Sequence, residues 1–194
     1  EVPLPLAEKI EKALKVPVHR IQLCGTSLIG VFCTGNNTTL LVPSIAIESE
    51  LHALTTHKIK YTVIKSKLTA LGNNILCNDT GCLVDPEYSA DTKKIIRQAL
   101  GTKLHPGTIA GIPTVGSLAV TTKKGGYVHH GITDAEFEEL ETLFNMPFFK
   151  GTINFGSGYV RSGILANTHG MIVGDTSTGI EMNDADEALL KEKE

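Results

Sequence analysis

Residues 77–86, CNDTGCLVDP, decide the fold, because the pattern they carry occurs four times along the chain. A turn of small polar residues that ends in Gly separates two apolar runs, which predicts a β-hairpin. The same pattern occurs at residues 34–43, 121–129 and 166–174, and the equivalent positions 39, 81, 125 and 170 are 42, 44 and 45 residues apart. We therefore predict a repeat architecture with a unit of about 43 residues.

A step of small residues precedes each hairpin, and a helical pattern and a short strand follow it. The steps are Gly30-Val31, Gly72-Asn73 and Gly116-Ser117, with Arg161-Ser162 in the fourth repeat. The apolar periodicity predicts helices at 6–14, 50–54, 89–100 (capped by Ser89 and ended by Gly101), 133–144 (capped by Thr133) and 184–191 (capped by Asn183). The strands are predicted at 16–21, 59–64, 102–104 and 147–149.

The repeat count predicts a ring of five units. The 194 residues hold about 4.5 units of about 43 residues, and the opening residues resemble the exit of a hairpin, so about 25 residues of the first unit are missing. Closing such repeats into a ring removes exposed sheet edges. We expect a single domain over 1–194, divided into a first-repeat remainder 1–20 and repeats 21–63, 64–106, 107–150 and 151–194.

Composition excludes several classes of protein. The chain has 18 basic and 21 acidic residues, a net charge of −3 and 5% aromatic residues, which argues against wrapping duplex DNA and against stacking on single strands. No long apolar run or charged-then-apolar leader is visible, so we expect neither a membrane span nor a signal peptide.

The four cysteines, Cys24, Cys33, Cys77 and Cys82, lack metal-site spacing. They are interpreted as reduced, buried thiols of a cytosolic protein, with a disulfide framework as the minor alternative.

Two other patterns allow a chemical interpretation. His129 and His130 could act as a pair of catalytic bases, with Asp175 as the acceptor. The simpler interpretation is that His129 ends a strand near the surface. The glycine-rich residues 151–158 lack the Lys-Ser/Thr ending of a phosphate-binding loop. The scattered lysines Lys65, Lys67, Lys123, Lys124 and Lys150 are most simply a solvated surface.

Six motifs together resemble the translation initiation factor 6 family, the ribosome anti-association factors of archaea and eukaryotes. They lie at residues 40–43, 68–73, 109–117, 124–129, 151–157 and 176–181. The resemblance runs in register from about Leu6 to Glu187 and is closer to the archaeal form. It implies an α+β fold, the five-fold pseudosymmetric β/α propeller called the pentein fold. The chain departs from the family in lacking a first hairpin, and in Phe155 and Arg161.

The resemblance implies a binding protein rather than an enzyme. Family members bind the intersubunit face of the large ribosomal subunit, contact protein uL14 near the sarcin-ricin loop of the rRNA, block joining of the small subunit and act in large-subunit maturation. We therefore expect a cytoplasmic monomer with no cofactor, no metal, no membrane and no DNA partner. Without residues 181–194, which carry six acids and two lysines, the net charge rises from −3 to +1. A nearly neutral body suits a mainly protein partner, with some lysines near rRNA.

The resemblance also implies candidate binding residues. Asn73 and Gly72 lie in the family's Leu-Gly-Asn motif, and pseudosymmetry predicts Val31 and Ser117 on the same face. The alternative role of Asn73 is a turn former that bonds its own backbone. The same fold class includes guanidino-modifying enzymes, but these need a nucleophilic Cys near the C-terminus, and no Cys follows Cys82. A generic protein-interaction ring is a third alternative.

Overall fold

A computed structural model describes residues 2–191. It confirms the four hairpins and places them in four small sheets. The first sheet holds β1 (Thr34–Gly35), β2 (Leu40–Pro43) and β3 (Tyr61–Ile64); the second holds β4 (Ile75–Cys77), β5 (Gly81–Val84) and β6 (Lys103–Pro106); the third holds β7 (Ala119–Thr121), β8 (Gly126–His129) and β9 (Phe148–Gly151); and the fourth holds β10 (Ile164–Asn167) and β11 (Gly170–Val173).

The first three sheets share one topology. Two strands pair antiparallel as a hairpin, and the strand that follows the next helix pairs parallel with the second hairpin strand. The central strand is therefore covered on both edges, and all four residues of β5 are buried. In the fourth sheet β11 pairs only with β10 among the described residues, and each of its residues is partly exposed.

Five longer helices and two helical turns connect the sheets in the described part of the chain. They are α1 (Leu4–Leu14), α2 (Ile29–Phe32), α3 (Glu48–Thr56), α4 (Leu71–Asn74), α5 (Ala90–Leu100), α6 (Asp134–Phe144) and α7 (Gly179–Leu189). The caps at Ser89 and Thr133 are confirmed, since each side chain accepts from the backbone N–H three residues later. Gly101 ends α5 with φ +69°, as predicted.

Two sequence predictions are wrong. Residues 16–21 form no strand, because each third strand pairs with the second strand of a hairpin and the described residues before this segment form helix α1 instead of such a partner. Helix α7 begins at Gly179 rather than Asp184, and its cap is Thr178 rather than Asn183. Thr178 and Glu181 form a capping box, which outweighs the isolated Asn signal.

The chain divides into two compact units. One comprises residues 2–18, 109–112 and 117–191, and the other comprises residues 19–108 and 113–116. The core of the first unit packs α7 and β8 side chains such as Ala185, Leu189 and Tyr127. The second unit has one cluster around Leu41, Ile96 and Leu100 and another around Leu23 and Leu54. The expectation of one domain stays a prediction.

Each of three hairpin turns is joined to the end of another repeat's helix by one side-chain hydrogen bond. Asn36 Nδ2 donates to the carbonyl oxygen of Leu100 (2.9 Å), and Thr122 Oγ1 donates to that of Leu189 (2.7 Å). Asn167 Nδ2 donates to the carbonyl oxygen of Leu14 (2.7 Å). These bonds satisfy carbonyls that a helix end leaves unpaired. The last of them holds the final hairpin against the first helix.

The described helices include none that is both long and apolar enough to cross a bilayer.

Candidate functional site

The first three predicted small-residue steps lie in short helical turns whose glycines, Gly30, Gly72 and Gly116, pack on one another. Within the second unit, a Cβ on Gly72 would overlap the carbonyl oxygen of Gly30 and lie 2.8 Å from that of Cys33. A Cβ on Gly116 would likewise overlap the carbonyl oxygen of Gly72. Gly30 itself meets nothing within 4 Å. Glycine is therefore required at positions 72 and 116 by backbone packing inside the chain, whereas position 30 has open space.

This packing fixes the turn that carries Asn73. The backbone N–H of Asn73 donates to the carbonyl of Ala70 (3.0 Å), and its neighbours Gly72 and Asn74 are buried. The Asn73 side chain is half-buried, and among residues 2–191 its amide makes no hydrogen bond. The alternative role, a turn former that bonds its own backbone, therefore does not describe this side chain, and its amide is available to a partner.

The structure places the other predicted binding residues as follows. Val31 is half-buried in α2, the equivalent helical turn one repeat earlier in the same unit. Gly72 is buried under Asn73 and packs against the Gly30 backbone. Ser117 is half-buried and ends a 3-10 turn over Val115–Ser117, and it belongs to the first unit.

A second recurring device lies next to these turns. In three repeats, a Glu at the third position of the helix accepts hydrogen bonds from two backbone N–H groups of a tight turn 25 or 26 residues earlier. Glu50 accepts from Cys24 and Gly25, Glu136 from Ala110 and Gly111, and Glu181 from Phe155 and Gly156, at 2.7–3.2 Å. Each carboxylate also accepts from the backbone N–H three residues before it. We call each Glu with its turn a carboxylate clamp.

Glu181 is the most buried member of this set, with only 6% of its surface exposed. Besides the backbone donors, it accepts from the hydroxyls of Thr152 (2.8 Å) and Thr178 (3.1 Å). Desolvation alone would raise the pKa of Glu181, but the hydrogen bonds from Thr178, Gly156, Thr152 and Phe155 outweigh it and hold the pKa at about 2. Glu181 is therefore an ionised, fully engaged carboxylate rather than a group available for proton transfer.

The turn held by Glu181 differs from the others in length and in what it exposes. Cys24-Gly25 and Ala110-Gly111 are two-residue turns in which both residues have positive φ, each closed by a β-bridge between its flanking residues. The fourth-repeat turn has three such residues, Asn154, Phe155 and Gly156, with φ of +52°, +62° and +98°. We call it the aromatic turn. Phe155 is 83% exposed on it.

The residues considered for catalysis have structural partners. His129 Nδ1 accepts from the backbone N–H of Gly131 (2.8 Å), and its ring stacks on His130 with centroids 4.7 Å apart. Burial and the neighbouring His130 lower the pKa of His129. Residues 2–191 contain no group of three or more His, Cys, Asp or Glu side chains placed to hold a metal ion.

The lysines and cysteines are placed as follows. Lys150 forms an ion pair with Asp134 (2.8 Å), and Lys124 Nζ donates to the carbonyl of Leu190 (2.7 Å). Lys65, Lys67 and Lys123 are exposed. No disulfide joins the four cysteines, as predicted; Cys33, Cys77 and Cys82 are buried, whereas Cys24 is only half-buried, which corrects the prediction for that residue. Burial raises the pKa of Cys33 to about 12, so that thiol is unreactive at neutral pH.

Sequence reasoning did not find the carboxylate clamps. A local signal was present in two repeats, because Thr133-x-x-Glu136 and Thr178-x-x-Glu181 both match the capping-box pattern. The pattern predicts the bond from Glu back to the helix cap. It does not predict that the same carboxylate also reaches a turn 25 residues earlier in the chain, because that contact depends on tertiary packing.

Comparison with known proteins assigns the chain to a family. The model of the eIF-6 family matches residues 2–188. The chain is 38% identical to translation initiation factor 6 of Saccharolobus islandicus over 185 residues, which is 94% of this chain and 83% of the relative. It is 39% identical to that of Pyrococcus abyssi over 188 residues, with the same shares, and 37% identical to that of Methanosarcina mazei over 180 residues, 93% of this chain and 81% of the relative. The predicted family is therefore confirmed: this chain belongs to the eIF-6 family.

Proposed function

We propose that this protein binds the large ribosomal subunit at its intersubunit face and prevents joining of the small subunit by occupying that face. It thereby controls translation initiation and takes part in large-subunit biogenesis. Membership of the eIF-6 family and the similarity to relatives named translation initiation factor 6 support a role in translation. The mechanism is steric exclusion, so it needs no catalytic group, metal or cofactor.

The side-chain amide of Asn73 is the observation that links the proposed function to a site. The Asn73 amide is partly exposed and makes no hydrogen bond among residues 2–191, while the turn beneath it is locked by backbone packing of Gly72. A preorganised amide with free donor and acceptor positions can bond a partner at little cost in conformational entropy. We propose Asn73, Gly72, Val31 and Ser117 as ribosome-binding residues, with Asn73 as the main contact.

We further propose that the repeats close into the five-bladed pentein ring. The repeated hairpin-helix-strand plan and the stacking of Gly30, Gly72 and Gly116 support this arrangement. The bond from Asn167 to Leu14 supports it as well, because a ring brings its last and first repeats together. In this proposal the protein is a cytoplasmic monomer whose partners are protein uL14 and the vicinity of the sarcin-ricin loop, with no role for DNA or membrane.

A subunit-joining assay tests the proposed function. Purified archaeal subunits are mixed with excess protein, and the joined fraction is measured by sucrose-gradient sedimentation. We expect the protein to reduce the joined fraction and to cosediment with large subunits only. Joining that is unaffected by excess protein would show that the proposed function is wrong.

Asn73→Arg tests the site within that assay. The Arg side chain puts a bulky charge at the main proposed contact, so we expect loss of cosedimentation and of inhibition. Gln98→Arg is the matched control, because Gln98 is an exposed amide side chain of α5 and is not among the proposed binding residues. If N73R binds as tightly as the wild type while its circular dichroism is unchanged, Asn73 is not in the interface.

A further inference from the structure

The aromatic turn, Asn154–Gly156, has features of a binding element that the proposed site does not explain. The equivalent turns Cys24-Gly25 and Ala110-Gly111 perform the same structural task with two residues. The fourth repeat adds one residue and places Phe155 there, with φ +62° and 83% of its surface exposed. A bulky residue in the left-handed region is disfavoured, and strain of this kind is concentrated at functional sites.

The surrounding structure holds Phe155 rigidly in this conformation. Its N–H and that of Gly156 donate to Glu181, at 3.2 and 2.8 Å. On the other side, Asn154 Oδ1 accepts from the hydroxyls of Thr176 (3.2 Å) and Ser177 (3.3 Å). The backbone that carries Phe155 is therefore fixed at both ends of the turn, and only the torsions of the side chain remain to be ordered. Binding then costs little further ordering, which is the property of a preorganised anchor.

A second exposed apolar side chain lies beside the clamp. Ile180 directly precedes Glu181 in the chain and is 75% exposed. Phe155 and Ile180 are therefore both attached to the Glu181 clamp, the first by the hydrogen bond from its backbone N–H and the second as the neighbour of Glu181 in the chain. Aromatic anchors at the centre of an apolar patch are typical of the residues that carry most of the energy of a protein interface.

Charge indicates the kind of partner. Residues 151–160 and 174–180 contain no Lys or Arg, and Asp175 is their one charged residue at neutral pH. The adjacent Lys150 is engaged by Asp134. A nucleic-acid surface needs cations to balance phosphates, whereas these two stretches contain none and the bordering Arg161 is half-buried and already has a partner within the chain. The surface instead suits a protein pocket that accepts a protruding aromatic ring.

We propose that Phe155, supported by Ile180, is an anchor that inserts into an apolar pocket on a protein of the large ribosomal subunit, as a contact separate from Asn73. The inference rests on the proposed function, since it takes the large subunit as the bound particle. The Glu181 clamp is the positioning group that holds the anchor, and it does not itself touch the partner.

Phe155→Gly tests the anchor without disturbing the turn, because Gly adopts positive φ readily. Ala110→Gly is the matched control, since it makes the same change in the homologous turn, which carries no anchor. Affinity for purified archaeal large subunits is measured by fluorescence anisotropy, and folding by thermal unfolding. We expect F155G to weaken binding at least tenfold with an unchanged or raised melting temperature, I180S to weaken it less, and A110G to bind like the wild type.

Other outcomes separate the inference from the proposed function. If the wild type binds large subunits and F155G binds equally well, Phe155 is not an anchor, and the proposed function is unaffected. If the wild type does not bind, both are wrong. The same titration on protein-free large-subunit rRNA should show no difference between wild type and F155G, and an equal loss there would assign the contact to RNA. Analytical ultracentrifugation could instead show a wild-type dimer that F155G abolishes. Phe155 would then contact a second copy of this chain rather than a ribosomal protein.

Discussion

The third- and fourth-repeat clamps use the same carboxylate chemistry to hold turns with different surfaces. Glu136 holds Ala110-Gly111, a two-residue turn with a small side chain, while Glu181 holds Asn154–Gly156 and presents an exposed Phe. Glu136 is half-buried and accepts from one hydroxyl, that of Thr133, whereas Glu181 is buried and accepts from two. The repeat architecture therefore conserves the clamp within the chain but lets the turn vary, and the more elaborate clamp supports the more strained turn.

The largest expected difference in stability is between the variants that remove the Glu181 and Glu136 carboxylates. Glu181→Ala leaves the N–H groups of Phe155, Gly156 and Thr178 and two hydroxyls without their acceptor, so we expect a loss of about 2–4 kcal/mol in the free energy of unfolding. Glu136→Ala should cost about 1–2 kcal/mol, since water reaches its donors more easily. Urea unfolding of both variants measures the difference. An equal or smaller loss for E181A would mean that the two clamps are energetically equivalent.

Acid should weaken the Glu181 clamp at a defined pH. The folded pKa of Glu181 is about 2, below its ordinary value of 4.5, so the unfolded chain binds the proton more readily. Its stabilisation is complete above pH 4.5 and is lost as the pH falls from about 4.5 to about 2, with a size on the order of 2 kcal/mol. Urea unfolding at pH 2.5 to 6 should show a steeper fall for the wild type than for Glu181→Gln, and parallel curves would contradict this assignment.

The hairpin of the third repeat depends on a single hydroxyl. Thr122 Oγ1 is buried, donates to the carbonyl of Leu189 and accepts from the backbone N–H of Lys124. Thr122→Val keeps the shape and removes both bonds, so we expect a loss of about 1–2 kcal/mol in the free energy of unfolding. Thr121→Val is the matched control in the same strand, because Thr121 is half-buried and not a member of this network. Similar stabilities for the two variants would show that the hydroxyl is dispensable.

The smallest expected effect on stability comes from Gly substitutions in the turns themselves. Ala110→Gly and Phe155→Gly each remove the backbone strain of a non-glycine residue in the left-handed region. Both should therefore raise the free energy of unfolding by about 0.5–1 kcal/mol. Thermal unfolding of the two variants measures this. Since the gain is expected in both repeats, a loss of ribosome affinity confined to F155G would separate the conformational effect from the binding effect. Destabilisation by F155G would show that the ring packs on the protein's own surface.

Much of the fold follows from local sequence patterns. The turns of small polar residues, three of which end in Gly, predicted all four hairpins, and Ser89, Thr133 and Gly101 correctly predicted helix ends, because each acts on backbone groups within a few residues. The strand at 16–21 was predicted wrongly because a strand exists only with a partner, and local propensity contains no information about whether that partner is present.

The candidate site residues were predicted from the sequence, and that assignment stays a prediction, whereas the packing and hydrogen bonding of these residues could not be predicted. The resemblance to the eIF-6 family pointed to Asn73, and the family comparison confirms the resemblance. Only the fold shows that the Asn73 amide lacks a partner among residues 2–191, that Gly72 is needed for packing on Gly30, and that Phe155 is exposed. These properties depend on segments far apart in the chain, which no local pattern specifies.

The sequence by itself determined the repeat, its hairpins and most of its helix ends, because hydrophobic periodicity and capping are short-range effects. The tertiary structure alone decided which polar groups are satisfied and which remain available. Glu181 binds a turn 25 residues earlier in the chain and the last hairpin binds the first helix, and burial and hydrogen-bond partnership arise only when such distant segments are packed together.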